Sequence, residues 1–331
     1  MTPQLEKMFQ EKMVRHNASL PINCPKCEKS AANMRICRAG FFLRNCDGLK
    51  VQRFRCLDCG RRFSTATRSL EFRQQKRAPN FAIFRELSSA VSLRRTAENT
   101  GVNRKTVSAR LQYFEKLSRI CSDFLADDLR RSGKLSAHVQ LDDMETYEHT
   151  KLKPISVPIL VCKTMRYVYG VDAAAMPAKG LTAALSRKKY GRRKDDRPEA
   201  WEAVLKQGSK FIQPGATITS DMHNSYAKTI VANLPGTIHL TTKGRQPRSA
   251  GQGELKKGGL DPLFSINHTA AMFRANTSRL IRKTWCNTKR ISFLRSHLWV
   301  YVLRHNFTIA ANLAKKSVAT PAIKKNKLAP T

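Results

Sequence analysis

Cys24 and Cys27 in CPKC, and Cys56 and Cys59 in CLDCGRRF, form two CxxC pairs, and no other feature of the chain restricts its fold so strongly. Each pair can close a tight knuckle that offers two thiolates to a tetrahedral ion, and two knuckles complete a structural Zn2+ site. Metal binding then stabilises a segment too short to hold itself together by burial. The runs FFLRN and VQRFRC between the pairs read as strands around Asp47-Gly48, a dipeptide suited to a hairpin turn, so residues 21–68 are expected to fold as a zinc ribbon. A redox CxxC is the competing reading, and two pairs with no surrounding βαβ pattern argue against it. Cys37 and Cys46 lie in the loop as alternative ligands. Cys121, Cys162 and Cys286 stand singly in apolar contexts that suit buried thiols.

The charge balance names the kind of partner. With 61 Lys and Arg against 24 Asp and Glu, the formal charge is +37, the sign that displaces counterions from a phosphate backbone, so a nucleic acid is the expected partner and non-specific affinity for double-stranded DNA should follow. A length of 331 residues with 41% hydrophobic content allows one substantial core and one or two small modules. No run of about 18 uncharged apolar residues occurs, and the amino-terminal stretch is charged, so neither a membrane span nor a signal peptide is expected. Nine cysteines, four of them in CxxC pairs, fit metal binding in a reducing compartment. Together these features predict a cytoplasmic, nucleoid-associated protein.

After a boundary at FRQQKRAPN, residues 80–118 turn helical. Ser92 and Asn103 are N-cap residues by type, and Gly101 stands where a tight turn between helices needs positive φ. With Ala97, Val102, Val107 and Leu111 packed inward, Arg104, Lys105, Thr106, Ser108 and Arg110 are expected on or near the exposed face of a recognition helix, in a helix-turn-helix module. A plain helical hairpin with a solvated basic face is the alternative.

From residue 134 to 314 the pattern becomes α/β. AHVQLDDME, SVPILVC, YVYGVDAAA, ATITSD and TIHLTT read as strands, and PEAWEAVLKQG as a helix before the fourth strand. Three early strands, a helix, a fourth strand and terminal helices suggest a ribonuclease-H-like mixed sheet in which the first and fourth strands are neighbours. Asp142, inside the first, and Asp221, ending the fourth, would then meet and offer two carboxylates to a hard cation. Asp143, Glu145 and Asp172 are similarly placed rivals. His223 and Tyr226 follow Asp221, although a packed tyrosine is the commoner role.

These segments resemble the DDE transposases of bacterial insertion sequences, in particular the group typified by insertion sequence one. The resemblance is carried by LDDMETY, by SDMHNSY and by NHTAAMFRANTSRLIRKTWCNTKR, a basic helix ending in RLxRKT, and with the ribbon and helical module it runs from about Cys24 to Asn306. It implies that acidic residues hold Mg2+ (or Mn2+), which activates water or a 3′-hydroxyl for in-line attack on a phosphodiester. It also implies a homo-oligomer acting on two element ends. Asp142 and Asp221 match the family's acids directly. The family's third acid falls on Asn267, a neutral oxygen ligand. Glu254 and Asp261 are the alternatives, and Glu254 lies in SAGQGELKKGG, a stretch that reads as a loop. A decayed, inactive copy is the remaining possibility. His268 is adjacent and within reach of a scissile phosphate.

The basic helix places Arg274, Arg279, Arg282 and Lys283 as further DNA contacts. SRKKYGRRKDDR, residues 186–197, reads as a solvated basic run. Trp285, Phe293, Leu294, Leu298, Trp299, Val302 and Leu303 recur at helical spacing and read as core. Residues 1–20 read as an N-terminal extension and 315–331 as a disordered basic tail. Three functions follow: a transposase that binds its terminal repeats and cleaves and joins strands, a catalytically inactive sequence-specific DNA-binding protein derived from one, and an RNA-binding protein, which would leave the helix-turn-helix unexplained.

Overall fold

The structure, a computed structural model, describes residues 3–27, 35–243, 255–256, 259–281 and 285–319. It opens with helix α1 (Pro3–Ser19), whose Leu5, Phe9 and Met13 recur at i, i+4 and i+8 and are buried along one stripe. A meander of β1 (Ile36–Leu43), β2 (Lys50–Cys56) and β3 (Arg62–Ser64) follows, antiparallel throughout. Its apolar core is small: Phe54 stacks on Phe63 with ring centroids 5.6 Å apart, beside the buried Cys24 and Cys56.

Three helices come next, α2 (Asn80–Leu87), α3 (Leu93–Thr100) and α4 (Arg104–Arg131). The caps are those expected from residue type: the Ser92 hydroxyl accepts from the Arg95 amide and the Asn103 side chain from the Lys105 amide. Gly101 closes α3 in the left-handed region at φ 64°, where a side chain would be strained. α4 does not stop near residue 118. It runs unbroken to Arg131, and its carboxyl-terminal residues Ala126 and Leu129 enter the core of the following sheet.

That sheet is built from β4 (Ser136–Tyr147), β5 (Pro154–Cys162), β6 (Val168–Val171) and β7 (Ala174–Ala175), and, after α5 (Thr182–Tyr190) and α6 (Arg197–Ser209), from β8 (Ile212–Ser220); α7 (Tyr226–Asn233) then leads to β9 (Ile238–Thr241). Its order is β6-β5-β4-β8-β9, with β7 against β5. β4 is antiparallel to β5 and parallel to β8, and β8 is parallel to β9. β5 is buried from Ile155 to Cys162, as a strand covered on both faces must be. One face carries α6 and α7. α6 lies so close that a Cβ on Gly208 would sit 2.1 Å from the Leu160 side chain, and one on Gly170 2.6 Å from the Val204 carbonyl. The short strands β10 (Leu255–Lys256) and β11 (Gly259–Leu260) precede α8 (Phe264–Asn276), which with α9 (Ile291–Ala319) covers the other face.

α9 decides how the parts join. Leu298, Trp299, Val300, Tyr301, Val302 and Leu303 are six consecutive buried residues, so the helix is apolar on every side and a sheet alone cannot cover it. Leu298, Trp299, Tyr301 and Val302 face the sheet, while Val300, Leu303 and Phe307 pack with α1, α2 and α4. Buried polar bonds fix the contact: the Ser118 hydroxyl donates to the Trp299 carbonyl at 2.6 Å, and His297 Nε2 lies 2.8 Å from the Leu87 carbonyl oxygen. The three helices are thus fused to the sheet, and residues 3–19 belong to that shared core. Two other sequence expectations change: Trp285 is 97% exposed in the α8–α9 connection instead of packed, and Cys286 beside it is exposed. α9 also continues past Lys315 to Ala319; the residues beyond lie outside those described. No helix among the described residues is long and apolar enough to cross a membrane.

Candidate active site

Register places the two aspartates together. Leu141 of β4 pairs in parallel with Ser220 of β8, so the next residues, Asp142 and Asp221, stand side by side at the end of β8. Their proximity is felt electrostatically. Burial pushes the Asp142 carboxyl up to about 7; the Asp143 amide, donating at 2.7 Å, opposes the rise, the Asp221 and Asp143 charges add to it, and Arg274 offsets part of it. Asp221 Oδ1 accepts from the His223 amide at 3.1 Å, which fixes the turn after β8.

Strand parity separates Asp142 from its neighbour. Asp143 points to the opposite face, where it accepts from Trp201 Nε1 at 3.0 Å to each oxygen, from the Ser156 hydroxyl at 2.5 Å and from Tyr226. His223 packs edge-on to Trp201, ring centroids 5.3 Å apart, and against Tyr226 at 5.0 Å. This cluster, in which Trp201 and Tyr226 are buried and His223 is half-buried, supports the Asp221 turn from behind. Glu145 pairs with Lys179 at 3.4 Å and Asp172 with Arg295 at 2.6 Å, so both rivals are engaged elsewhere.

α8 closes the site from the third side. Gln140, two residues before Asp142 on the same face, clamps it: Nε2 donates to the Pro262 carbonyl at 2.8 Å, and Oε1 accepts from the Ile266 amide at 3.0 Å. Asn267 and Arg274 are seven residues apart and share one side of the helix, and Arg274 is the cation that acts on Asp142. Asn267 Nδ2 donates to Asp261 Oδ2 at 2.8 Å, and Asp261 Oδ1 accepts from the Leu263 amide at 3.1 Å. Asp261 is buried and committed to these donors, so it orients the Asn267 amide, and Asn267 Oδ1 is left with no hydrogen bond among the described residues. Two carboxylates and one amide oxygen are a donor set suited to a hard divalent cation. Glu254, Arg282 and Lys283 lie outside the described residues. His268 is turned away, 3.3 Å from Arg166 Nη1 and against Phe264.

The four cysteines also converge. Their sulfurs lie within 4.8 Å of one another, with Cys24 to Cys59 at 3.6 Å and Cys27 to Cys56 at 3.8 Å. Zn–S bonds of about 2.3 Å in a tetrahedron require sulfur separations of about 3.8 Å, so the cluster fits Zn2+. Burial raises the Cys24 thiol, but the Cys27 and Lys26 amides and the Cys59 and Cys56 thiols outweigh it and bring it to about 7. Cys37 and Cys46 are not in the cluster.

At the start of α4, Arg104 and Lys105 are exposed and Thr106 and Ser108 half-buried. Arg110, grouped with them by sequence, is a correction: it is only 7% exposed, its Nε donating to Asn80 Oδ1 at 2.7 Å and its Nη2 to the Lys76 carbonyl at 2.8 Å. The i, i+3 spacing that turns Val107 inward carries Arg110 with it.

No family model matches the chain, and no curated protein matches it. Among solved structures, the Mos1 strand transfer complex aligns at TM-score 0.24 and 11% identity over 72% of this chain and 77% of that one. The Mos1 transposase paired-end complex with left transposon end aligns at 0.22 and 12% identity over 71% and 78%, and a pre-cleavage Mos1 transpososome at 0.18 and 11% over 74% and 79%. Superpositions this loose establish neither a shared fold nor a shared activity.

Proposed function

We propose that this chain is an insertion-sequence transposase with an Asp-Asp-Asn site: residues 134–314 form a ribonuclease-H-like catalytic core, residues 21–68 a zinc ribbon and residues 80–118 a helix-turn-helix that together bind the element's terminal repeats. The observation that carries the proposal is the adjacency of Asp142 and Asp221 across β4 and β8, with Arg274 of α8 acting on Asp142; Asn267, seven residues earlier on the same side of that helix, supports it. The strand order, with one parallel neighbour and one antiparallel neighbour flanking β4, supports the core assignment. The sulfur spacing supports the ribbon, and the capped α3 and α4 support the DNA-reading module.

In this reading Asp142, Asp221 and Asn267 Oδ1 would hold the ion. Magnesium or manganese bound there would polarise the phosphodiester and activate water or a 3′-hydroxyl for in-line attack. Arg274 balances the carboxylate charge and receives the phosphate; Asp261 keeps the Asn267 oxygen available; the Trp201–His223–Tyr226 cluster holds the Asp221 turn. Arg104, Lys105, Thr106 and Ser108 meet the DNA groove and backbone, and the net charge of +37 supplies sequence-independent affinity. A cytoplasmic, nucleoid-associated homo-oligomer on double-stranded DNA follows from that function.

The test incubates purified protein with magnesium and duplexes carrying the sequences that flank its coding region. Metal-dependent cleavage and joining is expected. Asn267→Ala is expected to lose it, and Asp261→Ala, acting through Asn267, to lower the affinity for magnesium by roughly 10–100-fold. Full activity in Asn267→Ala would move the third ligand elsewhere; specific binding without cleavage by the unaltered protein would select the catalytically inactive DNA-binding reading.

The buried Arg110 and the exposed Arg104 should respond differently to substitution. Arg110→Ala strands Asn80 and the Lys76 carbonyl, so it is expected to cost about 1–3 kcal/mol of stability. Arg104→Ala should leave the melting temperature in place and lower the salt slope of DNA binding by about one. Melting curves and salt titrations that showed the opposite assignment would refute this division.

A further inference from the structure

A cavity of about 650 Å³ opens next to the carboxylate pair, between the β4–β5 hairpin and the connection from α8 to α9. Met144, two residues beyond Asp142 on the same strand, forms one wall; Tyr147 and Leu280 extend the apolar lining, and Arg274, Arg279 and Lys151 supply three cations. The volume lies in the ~300–1,000 Å³ range of small-ligand sites.

Arg279 is the feature the fold does not explain. Its Nε is buried with no hydrogen-bond partner, and the guanidinium forms no hydrogen bond or ion pair among the described residues. Burial lowers its pKa, Cys286 opposing, yet a guanidinium does not give up its proton near neutrality. The neighbouring His297 cannot balance it, because burial and then Arg279 itself hold that ring down to about 4, and it is neutral. The carboxylate in the lining, Glu145, is engaged with Lys179 at 3.4 Å. A desolvated cation without a counter-charge is retained at a cost to folding, which an anionic ligand recovers on binding.

We infer that this cavity is a nucleotide subsite: Arg279 anchors the phosphate of one nucleotide of a DNA strand entering the carboxylate site, Arg274 and Lys151 flank it, and Met144, Tyr147 and Leu280 take the sugar and base. The inference rests on the strand-transfer reading for its substrate, not for its measurement.

The full zinc-loaded chain, free of magnesium, is titrated calorimetrically with inorganic phosphate, a deoxynucleoside 5′-monophosphate and a short single-stranded oligonucleotide. The nucleotide is expected to bind at least tenfold more tightly than phosphate, the oligonucleotide more tightly still, and Arg279→Gln to lose at least tenfold for both. Arg279→Met, which removes the unpaired charge, is expected to raise the ligand-free melting temperature. Equal binding by wild type and Arg279→Gln, no nucleotide binding by wild type, phosphate binding as tight as nucleotide, or a lowered melting temperature in Arg279→Met would each overturn the subsite. Cleavage is assayed separately, so failure of the transferase reading leaves this result standing on its own.

Discussion

In the proposed transposase, Asp142→Asn and Asp221→Asn are each expected to abolish metal-dependent strand cleavage and joining while leaving binding to duplex ends intact. An ion held by the pair would stabilise the transition state by several kcal/mol, so the loss is roughly a thousandfold or more. Asp142 makes the result two-sided. Its folded pKa, about 7, is above the ordinary 3.8, because it is buried beside Asp221 and Asp143. A group raised in this way contributes stability that is fully present below about pH 4 and is lost as pH rises through 7. Without magnesium, the wild-type stability should therefore fall between about pH 4 and 7 by on the order of a few kcal/mol, and the melting temperature with it. Asp142→Asn should flatten that fall and be the more stable protein at pH 8, and magnesium should restore the wild type. The comparison omits magnesium without adding a chelator, which would strip the ribbon. Full activity in either variant, or an Asp142→Asn protein less stable at pH 8, would remove these aspartates from the proposed role.

Withdrawing zinc will unfold the ribbon. Its core is Phe54 and Phe63 with the cysteines themselves, too little apolar surface for independent folding. Structural zinc contributes on the order of 10–16 kcal/mol in small domains, and that energy is lost on chelation or in a Cys24→Ser, Cys56→Ser double variant. Expected results are the loss of one zinc per chain by elemental analysis, protease cleavage confined to residues 21–68, and weakened binding to terminal repeats. The sheet and its helices should keep their own melting transition, because their clusters share no residue with the ribbon's. A ribbon that resisted proteolysis without zinc would refute the assignment of its stability to the metal.

Much of the fold is legible in the sequence. Ser92 and Asn103 cap their helices because a short side-chain oxygen reaches an amide two or three residues on, an interaction that is local in sequence. The strands around Asp142 and Asp221 were readable because alternation and apolar runs are local as well. The choice between Asp142 and Asp143 was not, since both lie in one strand and only the coverage of its two faces, α8 on one and Trp201 with Tyr226 on the other, separates them. Arg110 was misassigned for a similar reason: its partners, Asn80 and the Lys76 carbonyl, are about thirty residues away and invisible to helical periodicity.

The sequence by itself therefore determined the elements, the caps and the four-cysteine cluster, and narrowed the first carboxylate to the Asp142-Asp143 pair, because each depends on spacing within a few residues or on side-chain type. Only the tertiary structure decided that α1, α2 and α4 share a core with the sheet through α9, that Asp261 orients Asn267, that Trp285 is exposed and that the buried Arg279 Nε has no hydrogen-bond partner among the described residues. Those outcomes depend on which surfaces meet across long separations, and close packing and polar satisfaction settle them only when the whole chain is folded.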